Sequence, residues 1–365
     1  MSWSWTLYRY LALQFLLGVG IVTGVILALV FSIDVVDLMN RTGGRASTGV
    51  VVGMALLQLP NLAQQVMAFA VLFGGVFSFA RLSRSQELVA TRAAGVSAWD
   101  FLLPPLVMAV ALGVLAVIAF TPFSARLLQE FSALEARYVK GQASQLAISE
   151  NGLWLRQGNE TNQSVIHATN VTDQGEHLYE VLVLQYGDVD KFTGRIEARE
   201  GLLKAGNWEL KDAWVSDGKG GQPVHHDIFE MPTDLTPEQI EQSFTSPDAL
   251  SFWDLRSYIR NAQSVGYSAI RYELYFYTLL ALPALFASMV FMAASFSLQL
   301  SRSRVGGVGK VVLISALAGF GVYFFNNLTT TLGRNGILPV ILAAAAPAVT
   351  AILIGMTLVF HQEDG

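Results

Sequence analysis

The chain contains no cysteine, so any chemistry has to come from carboxylates, arginines, histidines and hydroxyls. Disulfides, thiol nucleophiles and Cys-ligated metals are excluded, and an oxidising compartment is tolerated without being required. The five histidines, His167, His177, His225, His226 and His361, form no H-E-x-x-H pair and have no carboxylate at ligand spacing on a helix. Ser216 and Lys219 satisfy S-x-x-K, but they fall in a Gly-rich turn rather than at a helix start, which suits a solvated turn better than a nucleophile. Gly306-Gly307-Val308-Gly309-Lys310 invites a phosphate-loop reading. That reading fails, because Arg304 stands where the first glycine of G-x-x-x-x-G-K-[ST] is required and Val311 replaces the hydroxyl that would reach Mg²⁺. No G-x-S-x-G occurs, and no apolar stretch holds the carboxylate pair an intramembrane hydrolase would use. The expectation is a non-catalytic chain with no metal or cofactor of its own.

Two constellations remain. Between residues 81 and 100, Ser83 and Gln86 fit a capping box, Glu87 opens a helix-favouring run and Gly95 fits a C-terminal cap, which predicts a short helix over 83–95. Its residues Glu87, Leu88, Val89, Arg92 and Ala93 mix charged and small apolar groups, as a helix docking into a partner's groove would. A connector that binds only lipid headgroups through its arginines fits the same residues. The second constellation is Arg41 and Arg45 beyond the first apolar stretch, with Arg126 and Arg137 where the third gives way to polar sequence. Guanidinium groups there could take phosphate oxygens of an amphiphile bidentately. Headgroup anchoring explains each of them equally well, and Asp34 and Asp37 weaken a purely electrostatic case.

The elements that must position these residues are apolar. The chain is 53% hydrophobic and 14% charged, which marks an integral membrane protein. Uncharged stretches run over 10–33, 46–80, 101–125, 274–301, 311–333 and 335–360, and each is long enough for a helix to cross a bilayer core of about 30 Å. The 24 uncharged residues of the first stretch exceed the apolar region of a signal peptide, so it is read as a retained helix. Pro60, Asn61, Gln64 and Gln65 fall inside the second, which reads either as a long helix with its polar side on protein or a cavity, or as a helix with an interfacial first turn.

Between the two helical halves, residues 126–273 hold 22 of the 28 acidic and 13 of the 23 basic residues. This insert sums to −9 and the flanking parts to +4, which argues against a nucleic-acid partner. With the N-terminus inside, the inner short loops carry Arg9, Arg81, Arg84, Arg92, Arg302, Arg304 and Lys310, against Arg41, Arg45 and Arg334 outside. By the positive-inside rule both termini are then cytoplasmic and the insert faces the periplasm. The expected fold class is membrane α-helical, six transmembrane helices arranged 3+3, with an inserted all-β domain of sandwich or jellyroll-like type; the divisions are 1–125, 126–273 and 274–365. The insert should begin with a helical stalk to about residue 142. Strands follow at 152–156, 165–168, 179–186, 194–203 and 208–215, punctuated by Asn151-Gly152, Asp217-Gly218 and Gly220-Gly221. A return helix over 252–264 follows start signals at Pro247, Asp248 and Ser251.

This order of parts, with Ser85-Gln86-Glu87-Leu88-Val89-Ala90-Thr91-Arg92-Ala93-Ala94-Gly95-Val96-Ser97 between spans two and three, resembles the LptF/LptG permeases of the lipopolysaccharide export machine. The resemblance covers essentially the whole chain. The Glu-Leu-Val…Ala-Gly segment is its most specific motif, and Gly152-Leu153-Trp154 at an early strand also matches. Residues 250–275 and the 302–310 loop look more like the LptG branch than the LptF branch. The resemblance implies a permease subunit of an ABC transporter in the bacterial inner membrane, extracting lipopolysaccharide and passing it to a periplasmic bridge. It implies LptF as heterodimer partner, an LptB dimer that carries ATP and Mg²⁺, LptC, and LptA reached through the periplasmic domain. It also implies a coupling role for the 83–95 helix, with Glu87 reaching into the ATPase and Leu88, Arg92, Ala93 and Gly95 supporting it. Lipid entry is implied near spans one and five. Some relatives carry a lysine near the outer end of span one, where this chain has Asp34, so phosphate recognition would fall to Arg41, Arg45 or the partner subunit. The competing expectations are the LptF paralogue, a mechanotransmitting permease that moves no substrate, and a scaffold without an ATPase.

Overall fold

The computed structural model describes residues 5–93, 95–140, 145–149, 152–158, 163–172, 175–187, 191–218, 221–233, 235–236, 246–264, 266–302 and 308–364. The helices are α1 Trp5–Thr42, α2 Thr48–Arg84, α3 Glu87–Ala93, α4 Ala98–Leu115, α5 Thr121–Glu135, α6 Phe252–Ser264, α7 Ile270–Arg302, α8 Val308–Arg334 and α9 Val340–Asp364. Short π-helical segments at Ala116–Phe120 and Ala136–Lys140 follow α4 and α5. Two compact units result, Met1–Phe131 with Leu274–Gly365, and Ser132–Glu273.

The first unit is helical and membrane-spanning. Six helices are long and apolar enough to cross a bilayer: Trp5–Thr42, Thr48–Arg84, Trp99–Val139, Ile270–Ser297, Gly309–Arg334 and Val340–His361. The third of these absorbs a π segment at Ala116, and the Thr121 hydroxyl donates to the Ala116 carbonyl at 2.9 Å, so the looser turn leaves that buried oxygen satisfied. Lipid tails give no hydrophobic drive between helices, so close approach of backbones has to hold the bundle together. Glycine supplies it where α1 crosses α2: a Cβ on Gly74 would lie 2.5 Å from the Val19 Cα, and one on Gly18 2.6 Å from the Gly74 carbonyl oxygen. A Cβ on Gly113 of α4 would likewise meet the Pro283 Cα of α7 at 2.5 Å. The polar side of α2 faces protein. Asn61 is buried, and the Gln64 amide donates to the Tyr275 hydroxyl at 3.3 Å, which favours the first of the two readings of that helix.

The second unit is built on one seven-stranded antiparallel sheet in the order β1 to β7, each strand paired with its sequence neighbours. The strands are β1 Gln145–Ser149, β2 Gly152–Gly158, β3 Gln163–Thr172, β4 His177–Gly187, β5 Lys191–Lys204, β6 Asn207–Asp217 and β7 Val224–Pro232. The all-β insert is present, realised as an up-and-down meander without Greek-key crossovers among the described strands. Connection length explains this: β5 turns into β6 through Ala205 and Gly206 alone, with Gly206 at φ +85°, and so short a link joins only antiparallel neighbours. The helix that follows, α6, is capped as the sequence suggests, since Ser251 Oγ accepts from the Asp254 amide at 3.2 Å while its hydroxyl donates to the Asp254 carboxylate.

A crease crosses this sheet. In β3 to β7 one residue per strand drops out of the pairing on the same transverse line: Thr169, Glu180, Arg199, Asp212 and Asp227. Two of them, Glu180 and Asp212, take left-handed backbone at φ +52° and +54°. Register is the same on both sides, yet the buried positions step by three: Ala168 to Val171, Val181 to Leu178, Ala198 to Gly201, Ala213 to Leu210. Side chains alternate faces along a strand, so a step of three would expose half of the apolar set in a continuous pleat. Because every strand makes the step together, apolar residues on both sides of the line stay buried. Beyond the crease the core is completed by Trp208, the largest fully buried side chain, whose indole donates to Gln157 Oε1 at 3.2 Å while Thr233 donates to the same oxygen at 2.7 Å.

Candidate coupling helix and cationic rim

The α2–α4 connection is built from three caps. Helix α2 runs to Arg84, four residues past the uncharged stretch, so Ser83 is buried inside it and does not cap α3. The Ser85 hydroxyl instead folds back onto the Arg81 carbonyl at 3.1 Å, and Gln86 takes φ +63°, which turns the chain sharply into α3. A capping box is thereby replaced by a two-residue turn, because α2 gains another pair of intrahelical bonds before the backbone reverses. Helix α3 ends in the hydrogen bond from the Val96 amide to the Thr91 carbonyl at 3.3 Å, with Gly95 at φ +81°. Ser97 caps α4, its Oγ accepting from the Asp100 amide at 3.1 Å and its hydroxyl donating to the Asp100 carboxylate at 2.9 Å. Helix α3 is thus held in place at both ends by backbone geometry.

Glu87 opens α3, and its Oε2 accepts a hydrogen bond from the Tyr10 hydroxyl of α1 at 2.8 Å. The Thr91 hydroxyl donates to the Glu87 carbonyl at 2.6 Å. Ala93 and Gly95 are exposed. Leu88, Val89 and Arg92 belong to the same helix, with side chains outside the described residues. The structure therefore gathers Glu87, Ala93 and Gly95 onto one short exposed element flanked by the exposed Arg81 and Arg84.

The four arginines of the rim are not gathered in the same way. Arg41 closes α1, 3.8 Å from Asp37 one turn earlier, and Arg45 sits in the following turn, where Gly43 and Gly44 adopt positive φ and the Arg45 amide donates to the Thr42 carbonyl at 3.0 Å. Those two exposed cations share one tight turn. Arg126 is an exposed residue of α5 in the helical unit, and Arg137 lies in the other unit with its guanidinium 5.6 Å from the ring of Tyr138. Asp34, in the C-terminal part of α1, has its Oδ2 buried without a hydrogen-bond partner among the described residues. A cluster of His, Asp or Glu fit to hold a metal is absent among the described residues. The contact that sequence reasoning did not find is Tyr10. A tyrosine near the N-terminal end of an apolar helix reads as an interfacial anchor, and nothing in its spacing points to a partner 77 residues away.

Residues 9–360 match the profile of the family described as lipopolysaccharide export system permease LptF/LptG. The chain belongs to the LptF/LptG family. It is 26% identical over 343 residues to the lipopolysaccharide export system permease protein LptG of Escherichia coli strain K12, covering 91% of each chain, and the LptG protein of Escherichia coli O6:H1 strain CFT073 aligns with the same figures. Among the described residues, the short helix between spans two and three and the turn after span one both carry charged side chains that are at least partly exposed.

Proposed function

We propose that the chain is the LptG-like permease subunit of an ABC transporter that takes lipopolysaccharide from the outer leaflet of the inner membrane and delivers it to a periplasmic bridge toward the outer membrane. The observation that carries this reading is the extent of the family match, since residues 9–360 take in both helical halves and the β insert together. In this arrangement both termini are cytoplasmic and the insert is periplasmic, where it meets LptC and LptA. LptF pairs with the helical unit, and an LptB dimer supplies ATP hydrolysis. The most apolar windows of α1 and α8 are only 11% and 17% buried within the chain, which leaves those two helices free for the partner permease and for lipid.

Transport requires a cavity that holds lipid in one state and expels it in another, and only a difference in affinity between the states can do that work. Closure of the ATPase on ATP pushes α3 through Glu87, Leu88, Arg92, Ala93 and Gly95. The push reaches α2 and α4 through the caps on either side, and the spans close on the cavity. Arg41 at the end of α1 and Arg45 in the turn after it present two guanidinium groups to lipid phosphates, with Arg126 of the same unit offering a further contact. The test is isolation of the complex from native membranes in mild detergent with chromosomal Glu87→Ala. The expected result is folded permease with most of its ATPase lost. Undiminished ATPase together with normal export would overturn the role given to Glu87.

A further inference from the structure

We propose that Tyr10 is the positioning residue that holds the Glu87 carboxylate and links movement of the first span to the coupling helix, an inference that rests on the permease reading above. The two side chains are 77 residues apart in sequence and meet at 2.8 Å, the hydroxyl of α1 donating to Oε2 of α3. The bond holds one oxygen of the carboxylate within the chain. A carboxylate held in this way loses part of its rotational freedom.

What α3 is otherwise attached to makes this bond consequential. Toward α2 it is joined by the Ser85 and Gln86 turn, and toward α4 by the Gly95 cap and Val96. Both are connections along the chain, whereas the Tyr10 bond ties α3 through a side chain to a third helix. Helix α1, in contrast, is fixed to α2 by backbone contact at Gly18 and Gly74, eight residues beyond Tyr10, or about 12 Å along the helix. Tyr10 thus extends the rigid α1–α2 pair to the one charged side chain at the head of α3. Its phenol carries the hydroxyl on a rigid ring with only two torsions to fix, so little is lost in motion between the helix and the bond.

In the full complex reconstituted in vesicles, Tyr10→Phe deletes the hydroxyl and keeps the ring, so packing is preserved. The readout is lipopolysaccharide released to an acceptor per ATP hydrolysed. The ratio should fall about fivefold, the scale set by losing one hydrogen bond of roughly 1 kcal/mol. Tyr10→Phe combined with Glu87→Ala should release no less lipopolysaccharide per ATP than Glu87→Ala alone, because alanine already removes the acceptor of the one bond through which both act. An unchanged ratio for Tyr10→Phe, or losses that multiply in the double variant, would overturn the role of Tyr10 and leave the permease reading standing. A wild-type complex that hydrolyses ATP without releasing lipopolysaccharide would overturn both.

Discussion

Replacing Gly74 with alanine tests whether α1 and α2 are held by direct backbone contact. In an ordinary helix the change should stabilise by up to about 1 kcal/mol, because alanine has the better propensity. Here the added Cβ would meet the Val19 Cα at 2.5 Å, the Val19 nitrogen at 2.7 Å and Val19 Cγ2 at 2.9 Å. Two of the three are main-chain atoms that no rotamer change can move. Carbon atoms settle at about 3.5–4.0 Å, so the helices must separate by roughly 1 Å at the crossing, and a gap of that size forfeits a quarter to a half of each affected contact. The net cost is about 2 kcal/mol, within the range for overpacked cores, and corresponds to a melting midpoint lower by roughly 4–8 °C. Gly53, also on α2, has nothing within 4 Å of the same position and serves as the matched control. The assay is heating of the detergent-solubilised complex, followed by the fraction that remains monodisperse. Gly53→Ala should hold or raise the midpoint. Gly74→Ala at or above the wild-type midpoint would refute the close crossing and, with it, the rigid pair on which the role of Tyr10 depends.

Three further outcomes follow from the same structure. At the crease, Glu180→Gly should hold or raise the stability of the insert, whereas Glu180→Val should lower it by about 1–2 kcal/mol because a branched residue resists left-handed backbone; limited proteolysis of the full chain reads the difference. Ser251→Ala removes the cap of α6 and should cost about 1 kcal/mol, visible as faster amide exchange over 252–264 with exchange in the helical unit unchanged. Arg41→Ala with Arg45→Ala should reduce lipopolysaccharide co-purifying with the complex severalfold. If the two serve only as headgroup anchors, the bound lipopolysaccharide stays constant while the pair is lost.

The helical half was legible because it needs only length and the absence of charge: each uncharged stretch overlaps one spanning helix, and the strands of the insert interior, β2 to β6, showed themselves as apolar and aromatic runs bounded by turn residues. The edge strands β1 and β7 were missed for a physical reason. β7 has Met231 as its one buried residue, so His225, His226 and Asp227 gave no alternating signal. The crease was equally invisible, since a step of three in one strand looks like broken periodicity and acquires meaning only when the neighbouring strands make the same step on the same line. In the coupling region the glycine cap was readable from Gly95 alone. The N-terminal cap was assigned to Ser83, although Ser97 with Asp100 has the same spacing and is the pair that caps a helix. Tyr10 needed coordinates, because its partner is set by how α1 crosses α2 and not by any local pattern.

The central claim is that this chain moves lipopolysaccharide under the control of an external ATPase through α3. The most direct measurement is ATP-dependent release of lipopolysaccharide from vesicles holding the complete complex, compared with vesicles in which this chain alone is omitted. Release that needs ATP, needs this chain and falls with Glu87→Ala is the expected result. Equal release without the chain, or release indifferent to ATP, would contradict it.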